Sequence, residues 1–138
     1  MIPKLAIAAI WTMGAALLIR LMTVWDQLPQ RVAVHFGIAM QPNGWASRSA
    51  MALIMVLVVV GHAVLATWLI LNFSGRSPMI GAIQMTVAAV MLSAFWQVIS
   101  FNAQGKPFQS LWIVVSVLLM VALIAILLLR PALHHTPQ

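Results

Sequence analysis

The chain has 138 residues, the length of one domain, and its composition argues against a soluble fold, since 64% of the residues are hydrophobic and 6% are charged. Seven Lys/Arg and one acid give a net charge of +6, but the basic residues are scattered singly, which argues against nucleic-acid binding. Without cysteine, the chain can form neither a disulfide nor a thiolate metal site. We therefore expect a surface that faces mostly lipid.

Four apolar runs predict four membrane-spanning helices, because each is about as long as the hydrocarbon core of a bilayer is thick. We expect the spans at about residues 5–24, 50–72, 78–101 and 110–130. The first run resembles a signal peptide in position, but its length and the lack of a cleavage pattern favour a retained helix. Short connections after the second and third runs favour an up-and-down antiparallel bundle. The predicted fold class is an all-α membrane protein, with residues 1–138 forming a single four-span domain.

Tryptophans support this arrangement. In an alternating bundle, four of them would lie at one end and form an aromatic belt there: Trp25, Trp45, Trp96 and Trp112. The basic residues are divided almost equally between the two ends, so charge alone does not determine the orientation.

The longest polar connection, at about residues 25–48, is predicted to be an ordered loop. In the segment RVAVHF (residues 31–36), apolar and polar residues alternate, which predicts an extended chain with one apolar face. That face would lie on the ends of the helices. Residues 41–44 (QPNG) then predict a turn. We expect a re-entrant or capping hairpin at this place.

Polar side chains inside the spans have two interpretations each. Arg20 either snorkels to the interface or is a functional cation paired with Asp26 or with amide oxygens. His62 is either a neutral imidazole bonded across the bundle or a proton-handling or ligand-sensing group. The third span carries a polar stripe that either joins helices or lines a substrate path. Its members are Thr86, Ser93, Gln97 and Ser100.

The chain is poorly supplied with catalytic groups. Its single acid, Asp26, cannot provide a pair of carboxylates for acid–base catalysis within one subunit. Neither a nucleophile elbow nor a phosphate-binding loop is visible. The four histidines lack metal-ligand spacing. We therefore expect no catalytic residues, no metal and no cofactor.

Several loop residues occur in a recognisable order: Leu28-Pro29, Arg31-Val32, His35-Phe36, Pro42, Gly44-Trp45 and Ser47. They resemble the loop signature, roughly LPxRVPxHFNxxGxPDGWGSK, of a bacterial membrane family of unknown function. The same domain forms the amino-terminal part of SdpI-type toxin-immunity proteins. The resemblance implies a multi-pass inner-membrane protein with this loop outside and its amino terminus in the cytoplasm. Gln30, Gln41 and Asn43 stand where that family often has acids, so this loop is net basic.

The leading hypothesis is an SdpI-like protein that acts by binding, in toxin immunity or in sensing. Arg31, His35, Phe36 and Trp45 would form its external surface, and Arg20 with Asp26 would anchor the loop by a charge pair. The expected partners are the lipid bilayer and either a peptide toxin or a partner membrane protein, and an oligomer is compatible with this hypothesis. The alternative is a small membrane transporter or channel-like subunit with a polar seam around His62 and Gln97.

Overall fold

The computed structural model describes residues 2–75 and 79–107, together with Val115 and Leu118. These residues form three long helices, α1 (Ile2–Thr23), α2 (Arg48–Phe73) and α3 (Met79–Gln104). Each helix is long and apolar enough to cross a membrane. Between α1 and α2 lie a 3-10 turn (Trp25–Gln27) and two antiparallel strands, β1 (Arg31–Phe36) and β2 (Pro42–Ser47). Apart from Val115 and Leu118, the predicted fourth span at about 110–130 lies outside the described residues, and it stays a prediction.

The two strands correct the all-α prediction. In their register, Arg31 pairs with Ser47, Val32 with Ala46 and Ala33 with Trp45, followed by a bulge between Ala33 and His35. The β-branched and aromatic residues of β1 suit a strand. The tip of the hairpin needs one residue with positive φ, which is Met40 (φ 55). The predicted ordered loop is therefore a β-hairpin.

Local signals explain where the helices begin and end. The Oγ of Ser47 accepts a hydrogen bond of 3.1 Å from the N–H of Ala50, so α2 begins at Arg48, two residues earlier than predicted. Helix α3 continues to Gln104, beyond the predicted end at 101. Gly105, with φ +63, then terminates it with the left-handed conformation that glycine adopts easily.

Close contacts establish the direction of the three helices. A Cβ placed on Gly81 would lie 3.5 Å from the Cβ of Ala6, so α1 and α3 begin at the same end. On the other side of α1, the indole Nε1 of Trp11 donates a 3.0 Å hydrogen bond to Thr67, near the end of α2. Helix α2 is therefore antiparallel to α1, and the described spans run up, down and up.

The core follows a helical stripe, and the opposite stripe is apolar and exposed. On α2 the buried positions recur every three or four residues: Met51, Met55, Val59, Ala63, Ala66 and Ile70. Leu53, Leu57 and Leu71 on the same helix are between 60% and 66% exposed. Large apolar side chains exposed along a whole helix are typical of a surface in contact with lipid.

Candidate functional site

The hairpin rests on the helix ends through its apolar side chains. Val32 is fully buried, and the ring of Phe36 packs edge-to-face on Phe101 of α3, with centroids 5.0 Å apart. Val34 and other hairpin and helix residues surround a cavity of about 120 Å³ under the hairpin. These three positions are the apolar face that the alternation predicted. Val32 and Phe36 confirm that this face lies on the helices, but Val34 is 39% exposed, and Ala33, expected on the opposite face, is fully buried.

A single amide side chain pairs with β1. Asn102, near the end of α3, accepts a 2.7 Å hydrogen bond from the N–H of Ala33 and donates one of 2.9 Å to the C=O of Ala33. The same Nδ2 also donates to the C=O of Val98, at 2.8 Å. An exposed strand edge carries unpaired N–H and C=O groups. Asn102 satisfies two of them and holds the hairpin against α3.

Arg48 ties the end of α1 to the beginning of α2. Its Nη1 donates to the C=O of Trp25 at 2.9 Å and to that of Leu28 at 3.2 Å. Its Cζ lies 4.6 Å from the centroid of the Trp25 ring, and its backbone N–H donates to Gln30 at 3.0 Å. A cation at a helix amino terminus opposes the helix dipole. Contacts to two carbonyls and one ring offset that disadvantage.

Sequence reasoning singled out neither Asn102 nor Arg48. The position of Arg48 was the available signal, because an arginine directly after the helix-capping Ser47 is electrostatically unfavourable unless other groups bind it. Asn102 gave a weaker signal, as the first strongly polar residue after the apolar run of the third span. Both residues act through backbone carbonyl or amide groups of distant segments, and a sequence pattern does not show such partners.

The predicted external residues differ in exposure. Arg31, His35 and Trp45 are exposed, Trp45 by 53%. Phe36 is partly buried and contacts α3, so its ring holds the hairpin in place. The Nδ1 of His35 donates a hydrogen bond to the Oδ1 of Asn43 across the hairpin. We call Arg31, His35, Asn43 and Trp45 the exposed hairpin surface.

Gly44 brings His35 close to the opposite strand. A Cβ on Gly44 would lie 2.7 Å from the Cβ of His35, closer than real Cβ atoms approach. Only glycine therefore fits opposite His35 without a shift of the strands. This contact and the hydrogen bond to Asn43 fix the direction in which the imidazole points.

Arg20 does not pair with Asp26. Its Cζ lies 5.5 Å from the centroid of the Trp96 ring on α3, and its buried Nε has no hydrogen-bond partner among the described residues. Asp26 is exposed in the 3-10 turn. No ion pair joins these two residues in the part of the chain that the structure describes. The hairpin is anchored by Arg48 and Asn102 rather than by the predicted charge pair.

The polar stripe of α3 bonds largely to its own helix. The hydroxyls of Thr86 and Ser93 donate to the C=O of Ala82 and Val90, each at 2.8 Å, as serine and threonine do in apolar surroundings. These two hydroxyls therefore bond within α3 rather than to another helix. Gln97 is partly buried on the same helix. His62 lies on α2, and within residues 2–75 and 79–107 its buried Nε2 has no hydrogen-bond partner.

One comparison with known proteins relates this region to a family. Residues 11–60 match the model of a family described as a domain of unknown function (DUF1648). The match extends from α1 through the hairpin into α2, so it includes Arg48 and Gly44 but not Asn102. Nothing among the curated proteins or the solved structures matches the chain. The chain thus carries a region similar to an uncharacterised membrane domain, on a multi-pass membrane protein.

Proposed function

We propose that the protein is an SdpI-like inner-membrane protein that binds a peptide toxin or a partner membrane protein through its exposed hairpin surface, in immunity or sensing. One observation carries the proposal. Arg48, Asn102 and Phe36 hold the hairpin firmly on the helices, while Arg31, His35 and Trp45 point away from those contacts and remain exposed. A surface that is already rigid loses less conformational entropy when it binds a partner.

A role as a cap on the helix ends explains only some of the residues of this hairpin. A cap needs the apolar side chains that face the helices and the paired strand edge. It does not need Trp45, which is 53% exposed, or Ile38 at the tip, which is fully exposed. Tryptophan and arginine are the residue types that most often dominate binding energy at interfaces. Their presence beside a fixed histidine supports a recognition surface.

The charge of the hairpin indicates the chemistry of the partner. Arg31 and Arg48 lie in or beside the hairpin, and Asp26 is the single acid of the chain. Arg48 is engaged by backbone carbonyls, which leaves Arg31 as the exposed cation of the surface. Charge complementarity favours a partner that is acidic or uncharged and amphipathic over a cationic peptide. The proposal places the hairpin outside the inner membrane and the amino terminus in the cytoplasm, as the loop resemblance implies.

The proposal is tested in cells that express the protein and are exposed to membrane-active peptides of acidic, neutral and cationic charge. We expect the wild-type chain to raise the inhibitory concentration of an acidic or neutral peptide. Replacing Arg31→Ala together with His35→Ala should lower that protection at least about tenfold, which corresponds to about 1.4 kcal/mol of binding energy.

The matched control replaces Lys4→Ala and Gln27→Ala, which removes one exposed cation and one exposed polar side chain that do not belong to the exposed hairpin surface. Its protection should equal that of the wild type at equal amounts in the membrane. If the Arg31/His35 variant protects as well as the wild type, the hairpin is a cap and the proposal fails. If the wild-type chain raises the inhibitory concentration of none of the peptides, the proposed role in toxin immunity fails as well.

A further inference from the structure

A groove open along one side separates α1 from α3. Its volume is about 290 Å³, and its walls are almost entirely apolar, formed by Met13 and Ala16 of α1 and by Ala89, Leu92 and Trp96 of α3. The two alanines leave the space that larger side chains would fill. No residue of the described ranges covers this groove, and its apolar walls suit an acyl chain from the bilayer.

Arg20 lies at the hairpin end of the groove. It is four residues after Ala16, which places it about one helical turn further along the same side of α1. Its guanidinium rests on Trp96, a wall of the groove. Helix α1 ends at Thr23, three residues later, or about 5 Å along the helix axis. Arg20 therefore stands at the depth where the apolar span meets the lipid headgroups.

The chain cannot neutralise this arginine from its own side chains. The sequence has seven Lys/Arg and one acid, and that acid, Asp26, makes no ion pair with Arg20 in the part of the chain described here. The buried Nε of Arg20 lacks a hydrogen-bond partner among residues 2–75 and 79–107. Partly buried cations in membrane proteins are normally paired. An anionic group outside the described residues is needed to pair with Arg20.

We propose that this groove binds one anionic phospholipid, whose acyl chain lies between α1 and α3 and whose phosphate is bound by Arg20. The groove supplies the apolar contact, and arginine supplies a planar donor that suits phosphate oxygens. Trp96 orients the guanidinium from the opposite side of the gap. The site is separate from the exposed hairpin surface and does not depend on the function proposed for that surface.

The test measures lipid bound to the purified full-length chain by native mass spectrometry, with phosphatidylglycerol and phosphatidylcholine of identical acyl chains. The wild type should prefer phosphatidylglycerol about fivefold, the usual effect of one basic residue at a membrane surface. Arg20→Gln should reduce this preference to about one. Lys106→Gln removes an exposed cation at the same end of α3 and should keep the preference.

A second pair of variants tests the groove itself. Ala16→Leu narrows the groove and leaves Arg20 intact, so it should reduce the amount of bound phosphatidylglycerol. Gly61→Leu adds a larger side chain at an exposed site on α2, where a Cβ has no neighbour within 4 Å, and should bind as the wild type does. Equal binding of the two lipids to the wild type overturns the proposal. So does an equal loss in Arg20→Gln and Lys106→Gln, or unchanged binding in Ala16→Leu.

Discussion

Two arginines at the hairpin end of the bundle show how environment decides the role of one residue type. Arg48 donates to two backbone carbonyls and rests on Trp25, so it connects three segments of the chain. Arg20 rests on Trp96 alone among the described residues, beside an open groove. The Nε of both arginines is buried without a partner among the described residues, but backbone carbonyls bind Nη1 of Arg48, and no described acceptor binds the guanidinium of Arg20. Each guanidinium lies on a tryptophan ring, so the difference comes from the two backbone carbonyls beside Arg48.

Asn102 allows the hairpin anchoring to be tested at a single residue. Asn102→Ala would leave the N–H and C=O of Ala33 without their side-chain partner. We expect a loss of about 2 kcal/mol in the free energy of unfolding, because unpaired buried polar groups are costly. Unfolding in mixed detergent micelles, followed by circular dichroism, measures this change.

A matched control for Asn102 exists in α2. Asn72 donates to the C=O of Trp68 four residues earlier, as Asn102 does to Val98, but this bond lies within one helix. Asn72→Ala should therefore change the free energy of unfolding by less than about 0.5 kcal/mol. Equal effects of the two substitutions would mean that the bonds to Ala33 do not stabilise the hairpin.

At the scale of elements, the sequence predicts those helices and strand residues whose pattern is local and strong. Three of the predicted spans agree with α1, α2 and α3 to within a few residues, because long apolar runs and the Ser47 cap are local signals. The alternation in residues 31–36 correctly predicts that Val32 and Phe36 face the helices, but Ala33 is buried and Val34 is 39% exposed, so the predicted alternation holds only in part. The fold class was too narrow, because a short hairpin inside a chain of long apolar spans was assigned to a loop.

The remaining features depend on contacts between segments that are distant in sequence. The hydrogen bonds from Asn102 to Ala33 connect residues 69 positions apart. The bulge after Ala33 shifts the pairing of β1 and β2, and alternation alone does not reveal such a shift. The expected charge pair of Arg20 with Asp26 near the interface is likewise not seen among the described residues, where the 3-10 turn leaves Asp26 exposed.

Gly44 tests the packing of the hairpin. Gly44→Ala would place a Cβ 2.7 Å from the Cβ of His35, so the strands must separate or shift. We expect a loss of about 1–3 kcal/mol in unfolding free energy, typical of overpacking, together with faster proteolysis near residues 37–41. Gly61→Ala, where nothing lies within 4 Å, should be neutral or slightly stabilising because alanine favours a helix. If Gly44→Ala is as stable and as protease-resistant as the wild type, the strand pairing at His35 is not as described.

At the scale of the whole molecule, the aromatic side chains distinguish the two ends of the bundle. Trp25 lies beside Arg48, Trp45 is on β2 and Trp96 contacts Arg20, so all three are at the hairpin end, as the predicted belt requires. Trp68 packs on Phe73 at the other end of α2, with ring centroids 5.5 Å apart. Trp112, the fourth predicted member of the belt, lies outside the described residues. The two ends of the bundle are therefore distinct, and chemical labelling can test which end faces which side of the membrane.

Because the chain has no cysteine, single cysteines can be introduced without removing any native thiol, and the wild type is the unlabelled control. Gln41→Cys at the hairpin and Gly75→Cys at the opposite end are both exposed positions. With a membrane-impermeant maleimide, we expect Gln41→Cys to be labelled in intact cells and Gly75→Cys only after permeabilisation. Gln138→Cys should behave like Gly75→Cys if the sequence-predicted fourth span crosses the membrane. Labelling of Gly75→Cys but not Gln41→Cys in intact cells would reverse the proposed orientation, and equal labelling of both would contradict the membrane crossing by α2.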